Sequence, residues 1–167
     1  RIGMDTSKSV FQLHGVDENE VVVVRRQFRR AEMIRYFERL PPVLVAIESC
    51  GSSHHWGRLL QSFGHEVRLI PPQYVKAYVK RGKNDAADAE ALCEAVIRPS
   101  MRFVSVKSKE RQAACMLMTV RERLVSVKSQ LSNAFRSYAA EFGIVGPAGR
   151  QNVTQLIKRV LENDSLP

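Results

Sequence analysis

Four carboxylates in this 167-residue chain stand where their charge asks for a partner. Asp5 lies in Ile2-Gly3-Met4-Asp5-Thr6 and Glu48 in Val45-Ala46-Ile47-Glu48-Ser49, each near the end of a short apolar segment. Asp85 and Asp88 lie in Lys83-Asn84-Asp85-Ala86-Ala87-Asp88-Ala89. Ending an apolar strand in a carboxylate is costly unless the charge is paired or bound to a metal. Asp85 and Asp88 are i and i+3, so on a helix they share one face, and the small alanines beside them leave room for close approach to a sheet. Carboxylates converging on one point repel each other, and a divalent cation relieves the repulsion. Hard oxygen ligands select Mg²⁺, with Mn²⁺ as a substitute, over zinc. One or two such ions, the pair about 3.5–4 Å apart, activate a nucleophile and stabilise a leaving oxygen in phosphodiester chemistry. Singly, each acid has a plainer role as a solvated strand end or, for Asp85, as a complement to a helix dipole. Jointly, with the strand order given below, the metal reading is the stronger.

Basic side chains gather near the same segments. Lys8 follows Asp5, and Lys80, Arg81 and Lys83 directly precede the Asp85/Asp88 pair. Arg25, Arg26, Arg29 and Arg30 follow a run of valines, and Arg121, Arg123, Lys128 and Arg136 decorate a long polar stretch. Each set suits phosphate contacts, which position a nucleic acid without reading its sequence; the alternative for each is a solvated surface. His54 and His55 read as packing or capping residues, because no Cys/His partner spacing supports zinc. Trp56 and Tyr74 read as core aromatics rather than base-stacking platforms. Cys50 reads as a small packing residue.

The elements that would position the acids are legible from pattern. Arg1–Thr6, Val10–Val16 and Glu20–Phe28 read as three strands of a meander, with a turn at Asp17-Glu18-Asn19. Ala31–Leu40 has helical spacing and stops at Pro41-Pro42. Val43–Ile47 is a continuous apolar run, as in a strand buried on both faces. His54–Phe63 reads as a helix stopped at Gly64, and Glu66–Ile70 as a strand. Pro71-Pro72 opens a short helix to about Val79, and Asn84 caps a helix from Asp85 to about Ile97. A strand between two helices, twice over, implies crossover connections and a mixed sheet flanked by helices, an α/β fold.

Lys107–Glu141 differs, being long, polar and free of Gly and Pro. Ala113, Leu117, Val120, Leu124, Val127, Leu131, Ala134 and Tyr138 alternate in steps of 4 and 3, the narrow seam of a coiled coil or helical hairpin. A Gly/Pro-containing loop and a helix over Val153–Leu161 follow. The expected organisation is a sheet domain over 1–100, a helical arm over 101–142, and a loop and helix over 143–167 that lead toward a further domain.

Composition narrows the class. Hydrophobic residues make up 44% of the chain, enough for a core and against wholesale disorder. No apolar run approaches the roughly 20 residues of a membrane span, and no signal peptide is visible, so a cytoplasmic protein is expected. The three cysteines, Cys50, Cys93 and Cys115, form no C-x-x-C pair and no disulfide framework. The net charge is +9, of which residues 98–167 contribute +7. That balance suits a polyanionic partner. The chain opens on Arg1 rather than Met, so a trimmed or incomplete product is expected.

The segments I-G-M-D-T-S-K-S, A-I-E-S-C-G and K-N-D-A-A-D-A-E-A-L resemble the D-E-D-D motif of transposases of the insertion-sequence family IS110, and most closely its IS1111 branch. Site-specific invertases of the Piv type share the motif. The resemblance covers nearly the whole chain. It implies an RNase H-like fold similar to the junction resolvase RuvC, with Mg²⁺ held by Asp5, Glu48, Asp85 and Asp88. It also implies a DNA recombinase guided by a structured noncoding RNA, acting as a homodimer or homotetramer near the nucleoid. A second domain of the family supplies a serine nucleophile; none of the serines here matches its motif. Two other readings stay open on the residues alone: a stand-alone RuvC-like nuclease or resolvase, and a non-catalytic RNA-binding dimerisation module.

Overall fold

The computed structural model describes residues 1–79 and 84–164. It divides into two compact units, residues 1–108 and 109–167. In the first unit five strands, β1 (Ile2–Thr6), β2 (Val10–Val16), β3 (Val22–Arg29), β4 (Leu44–Glu48) and β5 (Glu66–Ile70), form one mixed sheet in the order β3-β2-β1-β4-β5. β1, β2 and β3 pair antiparallel as the expected meander, and β1, β4 and β5 pair parallel. The parallel pairs require crossovers, supplied by helix α1 (Arg30–Arg39) before β4 and helix α2 (Ser53–Ser62) before β5. Helices α3 (Pro72–Val75) and α4 (Asp85–Ala95) complete the unit, which has the RNase H-like architecture.

The two sheet faces bury different residues. Met4, Phe11, Leu13, Val45, Ile47 and Leu69 point to one face, where Met33 and Phe37 of α1 and Trp56 and Leu60 of α2 cover them. Their chain neighbours Ala46 and Ile70 point to the other, beneath Ala91, Leu92 and Ala95 of α4 and Val75 of α3. This alternation is the period-2 geometry of strands. It explains why the β4 sequence is apolar without interruption until Glu48.

Several boundaries differ from the sequence expectation for local reasons. Glu20 is in a turn with φ +64° rather than in β3. The Asp17 carboxylate accepts the N–H groups of Asn19 at 2.8 Å and Val21 at 2.9 Å, which extends the turn. Strand β4 begins one residue late and includes Glu48. The Val43 N–H instead donates to His65 Nδ1 at 3.2 Å. The α2 helix ends before Gly64, which takes φ +91°. Asn84 caps α4, its side chain accepting the Ala87 N–H at 2.8 Å.

After α4 the chain returns along the sheet edge. The Val104 N–H donates to the Leu69 carbonyl at 2.8 Å, forming an isolated bridge beside β5. His54 Nδ1 accepts the Lys107 N–H at 3.1 Å, and Arg58 donates to the Lys107 carbonyl at 2.6 Å.

The second unit holds helix α5 (Lys109–Glu141) and helix α6 (Val153–Leu161). The 33 residues of α5 give a rod of about 50 Å. Ala139, Ile144 and Leu156 form a small core with Phe135 and Val160. Arg136 donates to the Pro147 carbonyl at 2.7 Å and Arg159 to that of Val145 at 2.9 Å, holding the loop between the helices. Leu117, Val120, Leu124, Leu131 and Tyr138 of the apolar seam are exposed in the single chain. Among the described residues no helix is long and apolar enough to cross a membrane.

Candidate metal centre

Asp5 is the penultimate residue of β1. It points to the same sheet face as Gly3, and Gly3 lies against α4. Asp85 and Asp88 occupy the first turn of α4, one helical turn apart. The result is a triplet in which one oxygen from each of Asp5, Asp85 and Asp88 lies within 4.8 Å of the other two. Asp5 and Asp88 are half-buried, while Asp85 is exposed and keeps the cluster open to solvent.

Glu48 stands beside this triplet rather than within it. It is the last residue of β4, the strand next to β1, and is half-buried. Its charge is felt at Asp5, and that of Asp88 is felt at Glu48. The structure therefore brings three of the four expected acids into mutual contact range and places the fourth at the border.

The electrostatics register the crowding. Asp5 is pushed up to about 6, first by burial, then by the charges of Asp85 and Asp88, with partial relief from the Thr6 backbone N–H. Glu48 is also raised, by burial and by Asp88, against a lowering contribution from Lys76. Such a set of hard oxygen donors, repelling one another at an open end, fits a hard divalent cation.

Two neighbours of the acids were not singled out in the sequence. Gln12 lies directly opposite Asp5 in the β1–β2 register and is buried. Among the described residues its side-chain amide donates one long bond, 3.4 Å, to the adjacent Leu13 carbonyl. Lys76 follows α3 and supplies the positive charge facing Glu48. Alternation of polar residues in β2 marks Gln12 as facing one way, but only the register shows that Asp5 shares that side.

The expected nucleic-acid contacts fall into distinct settings. Lys8, Arg25, Arg26 and Arg29 are exposed. Arg26 stacks over the Phe28 ring at 4.9 Å. Arg30 lies over Trp56 at 4.8 Å and Phe11 at 5.5 Å and donates to the Lys8 carbonyl at 2.9 Å, which fixes the β1–β2 turn to α1. Arg121, Arg123 and Lys128 are exposed on α5, whereas Arg136 holds the following loop. Lys80, Arg81 and Lys83 lie outside the described residues. Trp56 is a core residue, while Tyr74 is exposed, because α3 turns only Val75 inward. His54 is buried at the Lys107 contact, as a packing residue. Cys50, expected to pack, is instead exposed on the loop after β4, with its Sγ 3.3 Å from Thr6 Oγ1.

Comparison with known proteins places this geometry in a family. A family model for transposases, the DEDD type of IS110, matches residues 2–143. The chain is 59% identical over its whole length to a protein named as a transposase, y4pF/y4sB, of Sinorhizobium fredii, of which it covers 43%. It is 51% identical over its whole length to one named as a family 20 transposase of Pseudomonas aeruginosa, of which it covers 50%. Over 99% of its length it is 37% identical to the transposase for insertion sequence element IS1111A of Coxiella burnetii, of which it covers 45%. The chain thus spans about half the length, or somewhat less, of the curated relatives it matches. With an RNase H-like sheet, three acids converging where β1 meets α4, and a family match across most of its length, the chain belongs to the DEDD transposases of the IS110 family.

Proposed function

We propose that this chain is the catalytic half of an insertion-sequence transposase and carries the metal-dependent step of DNA strand cleavage and exchange. The observation that supports this most directly is the Asp5–Asp85–Asp88 triplet on an RNase H-like sheet. In this reading Asp5, Asp85 and Asp88 hold Mg²⁺, and Glu48 joins them from the end of β4. Bound there, the ion supplies Lewis-acid stabilisation of charge at the scissile phosphate and lowers the pKa of an attacking hydroxyl. The protein's own groups do the positioning: α4 presents two acids from one helical turn, β1 presents the third, and exposed Asp85 leaves a side open for the phosphate. Lys76 partly offsets the negative charge at Glu48.

The remainder of the recombination machinery is assigned by family resemblance. A serine nucleophile would come from a second domain, a structured guide RNA would choose the DNA sites, and a homodimer or homotetramer would assemble through the α5 seam. The exposed Leu117, Leu124 and Leu131 support an assembly role for α5, and its exposed Arg121, Arg123 and Lys128 suit a nucleic-acid backbone.

The test is calorimetric binding of Mn²⁺ to this chain and to Asp5→Asn/Asp88→Asn. Binding in the parent chain and its loss in the double variant are expected. A folded parent chain that binds no Mn²⁺, with or without a structured RNA, would overturn the metal reading.

A further inference from the structure

The four arginines around β3 are close in sequence, yet the strand register sends them to different places. Asp5 pairs with Gln12, and Gln12 pairs with Gln27. Gly3, His14 and Arg25 form the next parallel row, and Val10 lies opposite Arg29. Directly paired residues share a sheet face. Arg25, Gln27 and Arg29 therefore lie on the face that carries Asp5, the face crossed by α4. Arg26 belongs to the opposite face, with Phe28, and Arg30 is committed to Trp56, Phe11 and Lys8.

Helix α4 packs over β1 and β2, and Arg25, Gln27 and Arg29 on the edge strand are exposed beside it. Among the described residues neither the Arg25 nor the Arg29 guanidinium has a hydrogen-bond or ion-pair partner. β3 is two strands from β1, about 10 Å at normal interstrand spacing, and Arg25 and Arg29 stand about 13 Å apart along the strand. Two unpartnered guanidinium groups, with a neutral amide between them, flank the row that leads to Asp5. Val10, opposite Arg29, is exposed beside them, and the two guanidinium groups make the surface complementary to a polyanion.

We propose that Arg25, Gln27 and Arg29 form a backbone track for the DNA strand whose scissile phosphate lies at the acid triplet. The arginines hold phosphates on one side of the cut, and Gln27 hydrogen-bonds the backbone between them. The partner is the DNA being cut, because the track shares a face with the acids and lies within a few nucleotides' reach of them. The inference rests on the metal-centre reading for its direction, since the strand must pass the acids.

The test is fluorescence anisotropy in Mg²⁺ on the whole chain, with a labelled single-stranded DNA of about 20 nucleotides, long enough for one groove, and with an RNA hairpin as the second arm. Arg25→Gln/Arg29→Gln should bind the DNA about tenfold more weakly at low salt. The slope of log affinity against log salt should fall by about 1.4, or two phosphates at roughly 0.7 each. Arg26→Gln should stay within about twofold of the parent chain. Circular dichroism checks the fold of each variant, and calorimetry checks that the double variant keeps the parent's Mn²⁺ affinity. Unchanged DNA affinity in a folded double variant would overturn the track and leave the metal centre standing. So would a loss confined to the RNA hairpin. A parent chain that binds no Mn²⁺ but loses DNA affinity in the double variant would sink the metal reading while sparing the track as a DNA surface.

Discussion

Gly3 on β1 lies directly beneath Ala89 on α4: a Cβ at Gly3 would stand 2.0 Å from the Ala89 carbonyl oxygen and 2.6 Å from the Cys93 nitrogen. Both obstacles are helix backbone, which cannot swing aside as a flexible side chain can. This contact fixes how close Asp5, two residues along β1, comes to Asp85 and Asp88.

Gly3→Ala should therefore lift α4 from the sheet. A loss of about 2–4 kcal/mol is expected, at the upper end of overpacking costs, together with weaker Mn²⁺ binding. Urea denaturation and calorimetry check the two effects. Gly51→Ala, where an added Cβ meets nothing within 4 Å, should change stability by no more than about 0.5 kcal/mol.

Ionisation of Asp5 sets a pH dependence. Its folded value of about 6 lies above the ordinary 3.8, so the folded chain retains a proton that the unfolded chain releases. The resulting stabilisation is fully present below about pH 4 and is lost as pH rises through 6. In chelator, Asp5→Asn should be more stable than the parent chain at pH 7, by about 1–2 kcal/mol after allowance for solvent screening. That gain should vanish near pH 4. Because an ion requires the ionised carboxylate, Mn²⁺ affinity should climb between about pH 5 and 7 and then level. Thermal melts and calorimetry across that range read both trends.

His54 gives the opposite sign. Burial, then the charges of Lys107 and Arg58, lower its pKa below 6.5. The neutral ring accepts the Lys107 N–H, and a protonated ring cannot. The unfolded chain binds the proton more readily, so this contribution is full above about 6.5 and is lost as pH falls below it. His54→Ala should cost about 1–2 kcal/mol at pH 7.5 and much less at pH 5. Hydrogen exchange at Lys107 should accelerate in the variant.

The exposed α5 seam gives a prediction for assembly. Leu124→Glu/Leu131→Glu should leave the melting of the sheet unit unchanged, because both leucines are exposed in the single chain. If two copies pair through this seam, sedimentation should show association of the parent chain and a monomeric variant. A parent chain that stays monomeric at high concentration would remove α5 as the assembly element.

The acids were legible in sequence because their signals are local. An apolar run ending in Glu48, and Asp85 with Asp88 one turn apart behind the Asn84 cap, can be read from neighbours alone. The mixed sheet followed from helices that alternate with strands. Gln12, Lys76 and the sorting of the β3 arginines were not legible, since each depends on which residues face each other across strands. The irregular pairing at Gly15/Val16 shifts that register by one residue, which no reading of alternation foresees. Cys50 and Tyr74 were misread for a related reason. Small or aromatic residues suggest a core, but Cys50 lies on the loop after β4 and Tyr74 on the outer side of α3.

Asp5 lies on the first strand of the sheet unit and Asp88 on its last helix, roughly 80 residues apart along the chain. A cation gripped between them would work as a cross-link that closes nearly the whole unit into one loop. Such a staple acts chiefly by narrowing the freedom of the unfolded chain, and its benefit grows with loop length. Removing the ion would then be felt far from the acids, as easier opening of the entire sheet and faster nicking of its connections by a protease.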